Sequence, residues 1–224
     1  WRRGAAAELR ARLEELDPGG RHPLAGAAKF ARDALGVVWA LSFAACLEGT
    51  LEALAHRTLA RIGRAFDNQA RSRDVPPLRA ARPEGQMVPC QPSVVLDFPD
   101  MVVLCKPPDW EVDQGASEGP ERAGRRQHLL SAHLRALLPC ARWPLVGDVA
   151  HERGLLHRLD VPSSGLILAA KTFEALYRLR LQLVAGRLAR DYLALCRGWL
   201  PRGRREVGAP LRWRAEEPGA PTAA

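Results

Sequence analysis

The hydrophobic periodicity of this chain changes from helical to strand-like across a proline-rich stretch, and no other feature constrains the fold as strongly. Before that stretch, apolar side chains recur at helical spacing over residues 5–16, 23–47 and 50–66. Residues 73–92 hold five prolines, which neither a helix interior nor a central strand accepts. We therefore expect a helical segment and a second domain, joined by a linker.

These boundaries divide the chain into a helical segment (1–72), a linker rich in Pro and Arg (73–92) and a second domain (93–224). With 224 residues, of which 47% are hydrophobic, the chain is long and apolar enough to bury a core. Its formal net charge of +8 favours an acidic partner such as RNA. A composition rich in Arg and Ala gives the same charge without any function, so the charge alone does not identify the partner.

The helical segment contains one pair of helices at residues 35–66, with Glu48 and Gly49 in the turn and Thr50 as the N-cap. This pair resembles one unit of the Trp-Ala-type helical repeats of organellar RNA-binding proteins, which would imply a concave binding face. The alternative is a packed helical hairpin. A lone unit favours that alternative, because repeat arrays need several units to be stable.

The second domain opens with a strand pattern. The stretch "SVVLDFPDMVVLCKPP" (93–108) holds two β-branched runs joined by "FPD", which predicts a β-hairpin. The stretch "HLLSAHLRALL" (128–138) predicts a helix with four leucines on one face. These leucines are Leu130, Leu134, Leu137 and Leu138.

A second strand pair follows, with strands predicted at residues 154–159 and 166–170. Thr172 is the predicted N-cap of a further helix that Gly186 ends. The stretch "RDYLALCRG" (190–198) then predicts another strand. This alternation of strands and helices indicates an α+β fold with a mixed or antiparallel sheet, preceded by the helical segment.

Residue spacing argues against metal, disulfide and membrane sites. The five cysteines lie far apart and form no Cys-x-x-Cys pair, so neither a disulfide scaffold nor a zinc ribbon is expected. His128 and His133 lie on different faces of the predicted helix and cannot jointly hold a metal. The apolar run at 35–47 is too short to span a bilayer.

The stretch "HRLDVPSSG" (157–165) is the strongest candidate for a functional site. If residues 155–160 are extended, Arg158 and Asp160 point to the same side, so a cation lies beside a carboxylate. Pro162 restricts the backbone just beyond them. This pattern predicts a carboxylate held at a strand end, at the mouth of a basic cleft. An Arg–Asp pair that only braces a loop is the alternative reading of these residues alone.

The wider sequence resembles the RluA-like pseudouridine synthases. The stretch "GLLHRLDVPSSGLILAAKT" is similar to the catalytic motif of that family, which usually reads His-Arg-Leu-Asp, two variable residues, Thr-Ser-Gly and an apolar strand ending in Ala-Lys-Thr. "VVLCKPPDWEVD" resembles the early strand and Lys-Pro turn of the family, and "RDYLALCRGW" resembles its basic-x-Tyr-x-Ala-Leu strand. The three matches occur in the family's order and cover nearly all of residues 94–199.

The resemblance implies an RNA pseudouridine synthase, an isomerase that acts on structured RNA containing the target uridine, in rRNA or tRNA processing. It implies that Asp160 is the catalytic nucleophile or charge stabiliser. Arg158 would orient Asp160 or fill the gap left by the flipped nucleotide, and Tyr192 would stack on the target base. The reaction needs no metal and no organic cofactor. Lys106 and Lys171 are expected to be solvated charges, with phosphate contact as the second reading.

The chain departs from the family pattern in four ways. Ser163 replaces the usual Thr and keeps its hydroxyl, which matters little. Asp109 stands where the family has Gly after Lys-Pro-x, although Asp tolerates left-handed backbone better than most residues. Asp113 replaces a common His, with no consequence readable from sequence. Nothing after Trp199 resembles the family's Thr-Gly-Arg-x-His-Gln-Ile-Arg segment, whose first Arg pairs with the catalytic Asp, so we expect a domain that is incomplete at its C-terminus.

Two alternatives to catalysis therefore stay open. One is a catalytically inactive RNA-binding module, in which the basic surface and the helical segment bind RNA. The other is an interaction protein whose helical hairpin is the functional part and whose second domain is a remnant of the enzyme.

Overall fold

The computed structural model describes residues 2–16, 24–71, 90–113 and 128–195, together with Gly203 and Glu206. These residues belong to two compact units, Trp1–Ala189 and Arg190–Ala224. Most of the predicted linker (73–92) and residues 114–127 lie outside the described residues.

Three helices form the first part of the larger unit: α1 (Arg2–Leu16), α2 (Leu24–Phe43) and α3 (Gly49–Arg71). Their shared core is built from fully buried leucine, valine and alanine side chains, among them Leu13, Val38 and Leu59. Thr50 lies inside the first turn of α3 and not at its N-cap, because the helix begins at Gly49, two residues earlier than an N-cap at Thr50 implies. None of the described helices is long and apolar enough to cross a membrane.

The main sheet has three antiparallel strands, β1 (Ser93–Asp97), β2 (Met101–Lys106) and β5 (Gly165–Ala170), in the order β1-β2-β5. The predicted hairpin is confirmed, with β1 and β2 joined by the short turn at "FPD". Alternate residues of the central strand β2 are buried, as expected for a strand with one face on a core. The predicted α+β class with an antiparallel sheet is therefore confirmed.

A second, smaller sheet pairs β3 (Trp110–Glu111) with β4 (His128–Leu129) in parallel, and α4 (Leu130–Leu137) follows directly. Leu130 and Leu134 are buried as predicted. Leu137 is exposed, and α4 ends there, one turn after its last buried leucine. The Trp110 ring stacks on His128 with ring centroids 5.0 Å apart.

Helix α5 (Phe173–Val184) joins the helical segment to the sheet. Thr172 is its N-cap, as predicted, and its side chain accepts a hydrogen bond of 3.2 Å from the Ala175 amide. Gly186 ends the helix with a left-handed φ of 70°. Tyr177 packs into the core of α1, α2 and α3, whereas Leu176 packs toward β5.

Candidate functional site

The segment that carries Asp160 leaves the sheet earlier than predicted. Leu155 forms a single bridge with Ala169, and the Leu156 amide donates to the Leu168 carbonyl at 3.0 Å. Residues 156–160 have no regular secondary structure, so the strand predicted at 154–159 is wrong beyond this bridge. Beyond Leu156, the Leu168 amide of β5 faces Nε2 of His157 at 3.4 Å, and not a backbone carbonyl of that segment.

Asp160 itself lies at an exposed turn. Its carbonyl accepts a 3.0 Å hydrogen bond from the Ser163 amide, which closes a turn over Val161 and Pro162. A cavity of about 410 Å³ lies elsewhere, between α3 and α5, and Asp160 does not line it. The basic cleft around Asp160 stays a prediction.

Arg158 faces a neighbour that the sequence reading did not consider. Its guanidinium lies 3.9 Å from Oε1 of Glu111. Among the ion pairs of the described residues, none joins Arg158 to Asp160. The Arg158 side chain is 64% exposed, whereas Glu111 is buried. The guanidinium of the motif therefore faces Glu111 of β3, which follows the Lys-Pro turn, and does not pair with Asp160.

Lys106 is a site residue that the sequence reading missed, because it was expected to be solvated and its residue is 0% exposed. The ammonium donates hydrogen bonds to the carbonyls of Trp110 at 2.7 Å, Pro107 at 3.1 Å and Val161 at 3.2 Å. Burial lowers the pKa of Lys106, and the charges of Asp109 and Asp160 oppose that shift. The Lys-Pro pair, which resembles the turn of the family, was the sequence feature that could have assigned Lys106 to the site.

Two hydrogen bonds to one carbonyl tie the Lys-Pro turn to the motif loop. The Val161 carbonyl accepts from Lys106 Nζ and also from the Asp109 amide at 2.8 Å. Asp109 has a left-handed φ of 65°, as the resemblance required of the residue at that position. The residue after Asp160 is therefore fixed from two sides, and the carboxylate of Asp160 lies within the electrostatic range of a buried ammonium.

Lys171 is the second buried lysine, and the expectation of a solvated charge was wrong here too. Its ammonium pairs with Asp97 and donates to the Phe98 carbonyl at 2.6 Å. It also lies 5.3 Å from the centroid of the Trp143 ring. These partners belong to the β1–β2 turn and its surroundings, so Lys171 braces the sheet.

Tyr192 belongs to the second unit, Arg190–Ala224. Its side chain is 64% exposed, and residues 190–195 have no regular secondary structure. The predicted strand is therefore wrong over those six residues, while its last three residues lie outside the described part of the chain. A strand needs a neighbour for its backbone groups, and the described residues of this unit offer none.

The described residues contain no group of three or more His, Cys, Asp and Glu side chains placed to hold a metal ion. Cys90, Cys105 and Cys140 are free thiols. His128 and His133 both pack against Trp110, which agrees with their reading as ordinary histidines.

The sequence profile of the family described as RNA pseudouridylate synthase matches residues 100–218. The ribosomal large subunit pseudouridine synthase C of Escherichia coli (strain K12) is 33% identical over 144 residues, which cover 61% of this chain and 40% of that protein. The ribosomal large subunit pseudouridine synthase D of Pasteurella multocida (strain Pm70) is 30% identical over 111 residues, which cover 50% of this chain and 30% of that protein. No solved structure matches the chain with comparable significance.

The chain thus spans 30–40% of the length of these curated relatives. The profile nevertheless covers more than half of the chain, including the Lys-Pro turn and the loop that carries Asp160. The resemblance read from the three motifs is therefore confirmed: the chain belongs to the RluA-like RNA pseudouridylate synthase family.

Proposed function

We propose that this chain carries the catalytic centre of an RNA pseudouridine synthase and that Asp160 is its catalytic residue. One observation supports this most: Asp160 is an exposed carboxylate on a loop that Lys106 and Asp109 fix through the Val161 carbonyl. An exposed carboxylate can reach a substrate. A fixed backbone limits the motion that would otherwise misplace the carboxylate.

The proposed reaction is an isomerisation, so its atoms balance without a co-reactant. The N1–C1′ bond of uridine breaks, the uracil turns while it is held, and a C5–C1′ bond forms. N1 gains a proton and C5 loses one. Asp160 either forms a covalent intermediate or stabilises the positive charge that develops as the glycosidic bond breaks. The nearby positive charge of Lys106 attracts the Asp160 carboxylate and helps to hold it in place.

Arg158 and Tyr192 are proposed to hold the RNA. The exposed guanidinium of Arg158 can bond a phosphate bidentately or occupy the gap left by a flipped nucleotide. The exposed ring of Tyr192 can stack on a base, so Tyr192→Ala should lose roughly 1–3 kcal/mol of RNA affinity while Tyr192→Phe keeps most of it. Because the relatives named above are ribosomal large subunit enzymes, large-subunit ribosomal RNA is the proposed substrate class.

Chemical labelling of pseudouridine, read as reverse-transcription stops, tests this function. The intact protein is incubated with total RNA that lacks the modification, beside an Asp160→Asn variant that keeps the size of the side chain and removes its charge. We expect new stops with the wild type and none with Asp160→Asn. Equal stops with both proteins would contradict the assignment of Asp160, and no stops with either would contradict the proposed reaction.

RNA binding without catalysis is the second candidate function, and one feature of α2 favours it. Lys29, Arg32, Trp39 and Phe43 occupy one exposed face of that helix, and the two aromatic rings stack 5.7 Å apart. Cations beside exposed aromatic rings suit single-stranded RNA. Trp39→Ala should then weaken RNA binding in a salt-dependent assay, whereas an unchanged affinity would leave this face without a role in RNA binding.

A further inference from the structure

Two acidic residues next to the Lys-Pro turn each face an arginine of the segment that leads to Asp160. Glu111 ends β3, and Asp113 follows two residues later. Glu111 faces Arg158 and Asp113 faces Arg153. The two arginines enclose the stretch "RGLLHR", just before Asp160. We call these four residues the acidic clamp.

The pair of Asp113 and Arg153 is the tighter half of the clamp. One terminal nitrogen of Arg153 donates to both carboxylate oxygens of Asp113, at 2.6 and 2.5 Å. Both side chains are largely buried, with 13% and 15% exposed. Removing one partner of such a pair leaves the other as a buried charge without compensation. This half of the clamp is therefore a permanent feature of the folded chain.

The backbone at Arg153 explains why such an anchor is needed. Glu152, Arg153 and Gly154 all have left-handed φ angles, of 54°, 51° and 80°. Residues other than Gly adopt this conformation at a cost and keep it only where surrounding contacts enforce it. Gly154 cannot change to a larger residue, since a Cβ there would lie 2.3 Å from the Ala170 carbonyl oxygen. The Asp113–Arg153 pair therefore fixes the start of the motif segment, which we define as residues 153–160.

The pair of Glu111 and Arg158 is the looser half. The closest nitrogen and oxygen atoms are 3.9 Å apart, beyond hydrogen-bonding distance. Glu111 is only 8% exposed, and its Oε2 atom has no hydrogen-bond partner among the residues that the structure describes. Arg158 is mostly in solvent, so it can turn away from Glu111 without breaking a hydrogen bond. A phosphate offers this guanidinium two oxygens in bidentate geometry, which is a better partner than a carboxylate oxygen at 3.9 Å.

We propose that Asp113 and Glu111 are positioning residues with different tasks. Asp113 sets the start of the motif segment through Arg153. Glu111 holds Arg158 until an RNA phosphate takes it over. The proposal rests on the proposed function for the effect of Asp113 on the reaction rate, while the effect of Glu111 concerns RNA binding alone. The clamp also gives a role to Asp113, the residue that departs from the common His of the family.

The test of Glu111 is a double-mutant cycle in RNA binding. The affinity of the intact protein for a fluorescein-labelled hairpin RNA with loop uridines is measured by anisotropy. Glu111→Gln should bind roughly two- to fivefold more tightly than the wild type, because no carboxylate then competes with the phosphate for Arg158. In an Arg158→Ala background the same change should have no effect. A weaker affinity of Glu111→Gln, or an equal gain in both backgrounds, would overturn the role of Glu111.

The test of Asp113 is the rate of pseudouridine formation at saturating RNA. Asp113→Asn should reduce this rate roughly ten- to hundredfold, since a small displacement of a reacting group has an effect of that size. Its RNA affinity should stay unchanged, and Asp113→Glu should restore part of the rate. A rate loss no greater than the fraction unfolded at the assay temperature would overturn the role of Asp113.

A matched control removes an acid–arginine pair outside the site. Glu52 and Arg187 form a surface pair at 2.8 Å, and Glu52→Gln should change neither the RNA affinity nor the rate. If the wild type makes no pseudouridine, the proposed function fails, while the cycle in RNA binding still decides the role of Glu111. If the wild type is active and the Glu111 and Arg158 effects are independent, the proposed function stands and the role of Glu111 is rejected.

Discussion

The candidate site and the junction between α3 and α5 are held together by different forces. At the site, a buried ammonium donates to three carbonyls and two acids face two arginines. At the junction, the ring of Phe66 packs against those of His151, Phe173 and Tyr177. Burial of apolar rings is favourable without exact partners, whereas each buried charge at the site needs its own partner.

The two regions should therefore fail in different ways. The junction anchors the helical segment to the sheet, so changes there should lower stability and leave the chemistry intact in the folded fraction. At the site, buried charged groups fix one loop, so changes there should alter the reaction more than the fold.

The largest expected effect on stability is at Gly63, where α3 meets α5. A Cβ at this position would lie 2.4 Å from the Cα of Glu174, which is backbone and cannot turn aside. Gly63→Ala should therefore lower the free energy of unfolding by at least about 2–3 kcal/mol. Urea denaturation measures this.

The matched control for Gly63 is Gly36→Ala on α2, where nothing lies within 4 Å of the added Cβ. That change should raise stability by about 0.5–1 kcal/mol through helix propensity. An equal response at both glycines would show that the close approach of α3 and α5 does not govern stability.

The next effect separates the two buried lysines. Lys106→Met removes the ammonium and leaves the Trp110 and Pro107 carbonyls without that donor, so stability should fall by about 1–3 kcal/mol. Lys171→Met removes a comparable buried ammonium beside Asp97 and should lower stability by a similar amount. Of the two variants, only Lys106→Met should also slow pseudouridine formation, because Lys106 donates to the Val161 carbonyl of the loop that carries Asp160, whereas Lys171 does not contact that loop. A comparable rate loss in both variants would show that Lys106 affects the reaction no more than Lys171, which braces the sheet.

The smallest effect concerns Tyr177, at the centre of the junction. Its hydroxyl lies 3.0 Å from Nε2 of His151, and Nδ1 of His151 lies 2.8 Å from Asp148. Tyr177→Phe should lower the free energy of unfolding by about 1 kcal/mol at neutral pH.

The same residue gives the junction a defined pH dependence. Burial raises the pKa of Tyr177 from its ordinary 10.0 to about 12. Because the folded state keeps a proton that the unfolded state releases, this contribution is complete below pH 10.0 and is lost as the pH rises toward about 12. The stability difference between wild type and Tyr177→Phe should therefore shrink over that range. If the wild type instead became still more stable than Tyr177→Phe over that range, the raised pKa of Tyr177 would be contradicted.

Local signals in the sequence predicted those parts of the fold that depend on neighbouring residues. The β1–β2 hairpin, the Thr172 cap and the left-handed end of α5 at Gly186 are all set within a few residues. Asp109 belongs to the same group, because its left-handed backbone follows from the turn in which it lies.

The parts that failed depend on residues far along the chain. The strand predicted at 154–159 requires backbone partners on β5, and beyond Leu156 the His157 side chain meets the Leu168 amide instead. The burial of Lys106 depends on the Val161 carbonyl, 55 residues away. The alternation of polar and apolar residues depends only on neighbours in the sequence. It therefore cannot reveal a distant carbonyl that accepts a hydrogen bond from a buried ammonium.

The candidate site was predicted in part for the same reason. The motif placed Asp160 on a loop before an apolar strand, and the structure has it there. The sequence could not predict the contacts of Glu111 and Asp113, because their partners Arg158 and Arg153 lie 40 or more residues away in sequence.

We propose that the chemistry depends on Asp160 while the junction provides only stability. Forming the C5–C1′ bond expels the hydrogen at C5, so RNA carrying tritium at C5 of uridine should release tritium as it reacts. The decisive measurement is tritium release by the intact protein and by its Asp160→Asn and Tyr177→Phe variants, each with its thermal midpoint. We expect Asp160→Asn to lose release with an unchanged midpoint, and Tyr177→Phe to keep release with a lower midpoint. Release by Asp160→Asn at the wild-type rate would contradict the account.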